Sequence, residues 1–303
     1  MDIIEVLKIV IIGIVEGITE WLPVSSTGHL LLLDSIMPLS SSEKFKEMFF
    51  VVIQLGAILA VIGTFWKKIC PIGFSNKEDI SIEENEEEKK ELNKEKKSEN
   101  GKKRFFIKKD VFVLWFKIIV ACLPSAVGIF LDDFLEENFG TPIVIAFMLI
   151  IYGILFIVIE NWNKKRRPTV NSLEELGYKT AFIIGIFQVL AMIPGTSRSG
   201  ATIIGALLIG VSRLVAAEFT FFLAVPTMLA ASGLKILKFG LAFSTLEIVT
   251  LLLGMIVAFI VSIIAIKFLI KYIKNKDFKV FGWYRMVLGI IVILLASVGI
   301  IQG

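Results

Sequence analysis

The chain has 303 residues, 56% of them hydrophobic, with 32 Lys and Arg against 28 Asp and Glu, and a mean hydropathy of +0.81. That apolar share exceeds the composition of a soluble domain and reads as an all-α polytopic membrane protein, with nothing to suggest a nucleic-acid binder. Its two cysteines, Cys70 and Cys122, imply neither a disulfide framework nor a metal cluster.

The first element, from about 5 to 33, is apolar yet contains GIVEGITEWLPVSSTGHLLLLD from Gly13 to Asp34. Charged side chains at bilayer depth cost roughly 2.5 kcal/mol or more, so they mark function by default. Glu16 and Glu20 also interrupt the apolar run, and no basic n-region precedes it, so no cleaved signal peptide is expected. Pro23 and the polar residues after it divide the segment into a helix, a break and a second helix. Non-helical backbone survives at membrane depth only when protein or a watery cavity surrounds it, which predicts a re-entrant hairpin.

A span follows at 49 to 66, then a charged loop from about 67 to 110 whose middle reads SNKEDISIEENEEEKKELNKEKKSENGKKR. Its composition predicts a solvated segment. Lys67, Lys68, Lys102, Lys103, Arg104, Lys108 and Lys109 flank it, which predicts a cytoplasmic side. Further spans are expected at 111 to 131 and 142 to 159, with the acidic DDFLEENFG outside and NKKRRP at 163 to 168 inside. A second broken element, about 181 to 209, reads GIFQVLAMIPGTSRSGATIIGALLIG from Gly185 and predicts a second re-entrant hairpin. Spans at 214 to 234, 247 to 270 and 286 to 301 complete the chain, and Lys271, Lys274, Lys276 and Lys279 fall on the inner side.

The two broken elements match at an offset of 172, which pairs Gly13 with Gly185, Glu16 with Gln188 and Gly28 with Gly200. Each precedes three spans, and an odd number of spans inverts the second copy. The expected architecture is therefore two inverted repeats, 1–160 and 161–303, each a re-entrant hairpin plus three transmembrane helices, with the tips meeting near the midplane.

Glu16 and Glu20 are four apart, so both carboxylates share one helix face. A hard divalent cation, Mg²⁺ or Ca²⁺, would relieve their repulsion and share its oxygen ligands with a phosphate. Ser25, Ser26, Thr27 and His29 offer hydroxyls beside the single histidine, a combination suited to an activated nucleophile or to protonation of a leaving oxygen. At the second break, Gly195, Thr196, Ser197, Arg198, Ser199 and Thr202 combine turn amides, hydroxyls and a guanidinium into an anion cradle. The bland alternative pairs Arg198 internally with Glu16 or Glu20. Gln54, Gln188 and Glu218 read as hydrogen-bond partners between helices. Together the groups suggest phosphoryl transfer on a lipid, with charge neutralisation the main catalytic factor. At roughly 0.8 kcal/mol per buried CH₂, a long polyprenyl tail stays in the membrane, so the site must come to the lipid.

With these residues in place, the sequence resembles the undecaprenyl-diphosphatase family of the BacA or UppP type. EGITE at 16 to 20 and PGTSRSGAT at 194 to 202 match its two signatures, and WLPVSSTGH at 21 to 29, VVIQLGAILAV at 51 to 61 and FLAVPTMLAASGL at 222 to 234 extend the likeness through both halves. The resemblance implies hydrolysis of undecaprenyl diphosphate to the monophosphate in the bacterial plasma membrane, recycling of a cell-wall carrier lipid, divalent-cation dependence and bacitracin tolerance. It places the acidic motif on Glu16 and Glu20, the essential histidine on His29, the hydroxyl cluster on Ser25, Ser26 and Thr27, and the arginine motif on Ser197, Arg198, Ser199 and Thr202. It also implies a cavity open to the outer face; a homodimer is left open. Phe50 departs from the family, which often has an acid before VVIQLG. A phosphatidic-acid-type phosphatase needs two histidines and is excluded by the one present. A polyprenyl-phosphate transporter or flippase, alone or combined with hydrolysis, is the remaining alternative.

Overall fold

The computed structural model describes residues 2–75, 104–130 and 132–301, so the predicted solvated loop lies mostly outside the described residues. The chain is helical, apart from one short antiparallel pair, β1 (Ile72–Ser75) with β2 (Arg104–Ile107), which joins the ends of that loop. The first hairpin is α1 (Ile3–Thr19) and α2 (Ser26–Ile36), followed by α3 (Glu43–Val52), α4 (Gln54–Thr64) and the short α5 (Trp66–Ile69). After the β pair come α6 (Lys109–Cys122), α7 (Asp132–Phe139) and α8 (Pro142–Asn163). The second hairpin is α9 (Tyr178–Leu190) and α10 (Arg198–Leu208), and α11 (Arg213–Phe239), α12 (Thr245–Ile273) and α13 (Lys279–Ser297) end the described chain.

Among the described residues five stretches are long and apolar enough to cross a membrane: Glu43–Thr64, which joins α3 and α4, together with α8, α11, α12 and α13. The outward face of α8 carries Phe147, Ile151, Ile154 and Val158, all exposed, a stripe that suits lipid and not water. The protein is therefore a multi-pass membrane protein. One expected span differs from its prediction: 111 to 131 is not a continuous helix. Pro124 has no amide hydrogen to return to Val120, whose carbonyl takes the Leu123 N–H at 3.4 Å, and the chain tightens into a 3₁₀ turn over Pro124–Phe130.

The hairpins are held by crossed packing. α1 lies against α12, whereas α9 lies against α6, and α8 packs along α13. Small residues permit the approach. A β-carbon on Gly185 of α9 would stand 2.1 Å from the Ala121 carbonyl oxygen of α6, and one on Gly13 of α1 would stand 3.0 Å from that of Gly254 in α12. The main apolar core runs from Trp21 through Ile118 and Phe156 to Phe221 and Phe222, so it underlies both breaks.

Candidate active site

Each hairpin breaks for a local reason. In the first, Pro23 cannot continue the helical ladder, and the chain turns through Ser25 at φ 75° before α2 begins. In the second, Pro194 and Gly195 at φ 89° lead into Ser197 at φ 71°, and α10 begins at Arg198. A serine in this left-handed region is strained by about 1–3 kcal/mol, and such strain collects at functional sites. Ser25 and Ser197 are the only non-glycine positions of this kind among the described residues.

The two tips bond to each other. Arg198 Nη2 donates to Glu20 Oε1 at 3.0 Å, Ser26 Oγ donates to Glu20 Oε2 at 3.0 Å, and Ser199 Oγ donates to the Glu20 carbonyl at 3.2 Å. Arg198 Nη1 donates to the Thr220 carbonyl of α11 at 2.9 Å, and its guanidinium lies 5.8 Å from the Trp21 ring centre. Thr220 Oγ1 donates to Thr202 Oγ1 at 2.9 Å, and Ser197 Oγ accepts from Gly200 N at 3.2 Å. The internal pairing of Arg198 with Glu20 is thus present. It commits both terminal nitrogens of the guanidinium, one to Glu20 and one to Thr220.

His29 does not join Ser26. Its Nδ1 lies 2.7 Å from the Ser25 carbonyl, and its Nε2 lies 2.7 Å from the Tyr284 hydroxyl of α13. The hydroxyl expected beside an imidazole therefore has a carboxylate beside it instead. Thr27 is exposed, whereas Ser25, Ser199 and Thr202 are buried.

Several buried polar atoms at the tips have no hydrogen-bond partner: both Glu16 carboxylate oxygens, Ser25 Oγ, Thr196 Oγ1 and Arg198 Nε. Such atoms are rare in folded proteins and each calls for an account. Here they gather on the two breaks and one helical turn below the first, where a phosphate, a cation or water would satisfy them. The Glu16 carboxylate, fully buried, close to the Gln54 side chain and one turn from Glu20, fits an oxygen-seeking cation. Among the described residues no group of three or more His, Cys, Asp or Glu could hold a metal ion.

Two residues of the site were not anticipated from sequence. Arg285 is fully buried, with Nη2 donating to the Gly195 and Thr196 carbonyls at 2.8 and 2.9 Å and Nη1 donating to the Pro23 carbonyl at 3.4 Å. It ties one tip to the other. The signal that could have found it is a guanidinium inside an apolar helix, six residues beyond Lys279. Tyr284 beside it carried no signal at all. The other intramembrane polar groups behave as partners: Gln188 Nε2 donates to Ser125 Oγ at 2.8 Å, and Lys68 pairs with Glu218 at 2.8 Å.

A cavity of about 900 Å³ lies apart from the tips, lined by Glu160, Lys164, Arg166, Arg167, Arg213 and Lys274 among others. Its one acid already accepts from Arg213 Nε at 2.9 Å and from Phe278 N at 3.1 Å, so it reads as a structural anchor.

Known proteins resemble the chain along nearly its whole length. The chain is 60% identical over 299 residues to an undecaprenyl-diphosphatase of Enterococcus faecalis, covering 98% of this chain and 99% of that one. A protein of the same name from Lachnoclostridium phytofermentans is 58% identical over 292 residues, covering 96% and 97% of the two chains. Another, from Desulfitobacterium hafniense, is 54% identical over the whole of both chains. The family model described as bacitracin resistance protein BacA matches residues 9–291, and the chain belongs to that family.

Proposed function

We propose that this protein hydrolyses undecaprenyl diphosphate to undecaprenyl phosphate and inorganic phosphate within the membrane. One observation carries the reading: two strained breaks from the two halves of the sequence join Glu20, Ser26 and Arg198 in one hydrogen-bonded cluster, surrounded by unsatisfied polar atoms. The diphosphate fits as the group that satisfies them.

The cluster suggests an order of events. An arriving phosphate draws Arg198 away from Glu20, and the guanidinium takes up the charge that develops on the transferred group. Glu20 keeps its other oxygen on the Ser26 hydroxyl, placed to receive that proton. Ser26 Oγ attacks the terminal phosphorus, its proton passes to Glu20, and the bond to the bridging oxygen breaks to release the lipid monophosphate. A water then cleaves the phosphoserine. If a water attacks first, the same carboxylate takes its proton. Ser25, Thr27, Gly195, Thr196, Ser197, Ser199 and Thr202 supply hydroxyls and amides around the phosphates. Glu16 and Glu20 are the residues that would hold a divalent cation, which when bound neutralises phosphate charge.

The inverted repeat belongs to the same proposal. α2 and α10 have 11 residues each and begin 172 positions apart, as do the two strained serines. The packing of α1 on α12 answers that of α9 on α6, as a two-fold relation in the membrane plane requires. In this arrangement the basic segments lie inside and the site opens outward.

Phosphate release from undecaprenyl diphosphate by purified protein in detergent tests the reading, because micelles have no two sides to transport between. Release is expected, EDTA should abolish it, and Mg²⁺ or Ca²⁺ should restore it. Full activity after chelation removes the cation from the scheme. Ser26→Ala with normal turnover selects water as the nucleophile.

A further inference from the structure

His29 is the only histidine in the chain, and both of its ring nitrogens are engaged. The Ser25 carbonyl can only accept a hydrogen bond, so Nδ1 carries the proton at that 2.7 Å contact. In the neutral ring Nε2 is then the lone-pair nitrogen, and the Tyr284 hydroxyl, 2.7 Å away, donates to it. The two rings lie parallel within 7°, their centres 5.6 Å apart. His29 is carried on α2 of the first hairpin, whereas Tyr284 is on α13, next to the Arg285 that ties both tips.

We propose that Tyr284 is a positioning residue for the reaction, which fixes His29 as the Nδ1–H tautomer and presents Nε2 as its one working nitrogen. The inference rests on the phosphatase reading and deepens it. The Ser25 side of the ring is closed by a backbone carbonyl that cannot move without refolding the strained turn. Only the Tyr284 side can open. A side-chain hydroxyl that rotates away exposes Nε2 to a phosphate oxygen or to water, and one that returns holds the ring ready between turnovers. The charged group closest in sequence to this tyrosine, Arg285, has its guanidinium committed to carbonyls of the two tips and the Leu149 carbonyl, so it does not compete for the imidazole.

The single histidine makes the test clean. Protein labelled with ¹⁵N-histidine gives one pair of ring resonances, both from His29. In wild type, Nδ1 should read as protonated and Nε2 as an unprotonated nitrogen that accepts a hydrogen bond. Tyr284→Phe keeps the ring and deletes the donor: the Nε2 resonance should move to the position of an unbonded nitrogen. Turnover should fall at least tenfold in kcat with little change in KM, because the loss is one of orientation and not of binding. A fluorotyrosine at 284, which restores a hydroxyl donor, should return both the resonance and most of the turnover. An unmoved Nε2 resonance, or unchanged kcat in Tyr284→Phe, overturns the proposal. Wild-type protein that releases no phosphate would instead overturn the phosphatase reading, and the resonances would still report the hydrogen bond.

Discussion

At the scale of single residues, the site turns on what Arg198 holds. Its two terminal nitrogens go to Glu20 and to the Thr220 carbonyl, and its Nε has no partner. A planar fork can pass from carboxylate to phosphate without moving its backbone, and an ammonium cannot reproduce both contacts. Arg198→Lys should therefore lower phosphate release at least tenfold, about 1.4 kcal/mol in the barrier, while the protein remains folded. Equal turnover in a steady-state assay would mean that a point charge suffices. Most of these residues were legible in the sequence because carboxylates, hydroxyls and a guanidinium at membrane depth stand out against an apolar background. Tyr284 was not legible. A tyrosine near a helix end suits the interface, and only the fold brings it to an imidazole 255 residues away. The pairing of Ser26 with Glu20 was likewise hidden, because helical spacing shows which residues share a face but not which groups meet across a break.

At the scale of elements, glycines set how closely the hairpins are gripped. Gly185 allows α9 to meet α6 backbone to backbone, and a β-carbon there would collide with the Ala121 carbonyl. Gly185→Val should destabilise the protein by about 1–3 kcal/mol and lower the melting temperature measured in detergent. Gly63 of α4 has nothing within 4 Å of an added β-carbon, so Gly63→Ala should hold or raise that temperature. A drop of similar size at both positions would count against a specific contact. The broken helices were readable from Pro23, Pro194 and Gly195. The interruption after Cys122 was missed because hydropathy counts the apolar residues of 111 to 131 without weighing the amide that Pro124 lacks.

At the scale of the whole molecule, orientation decides which leaflet delivers substrate. With cysteine-free protein as background, Asn138→Cys in the acidic segment should react with an impermeant maleimide on intact cells. Glu87→Cys, in the charged loop beyond the described residues, should react only after lysis. Labelling of position 87 on intact cells would reverse the orientation. The crossed packing of the hairpins has one more consequence. On the proposed repeat, the chain carries two copies of a scaffold but no spare machinery: where one hairpin has Glu16, Ser26 and His29, the positions 172 further on hold Gln188, Arg198 and Ala201. The acid comes from one hairpin and the guanidinium from the other, and each hairpin is braced by a helix from the other half of the chain. On that proposal the doubled scaffold divides the labour without redundancy, and a lesion in either half should silence the single centre.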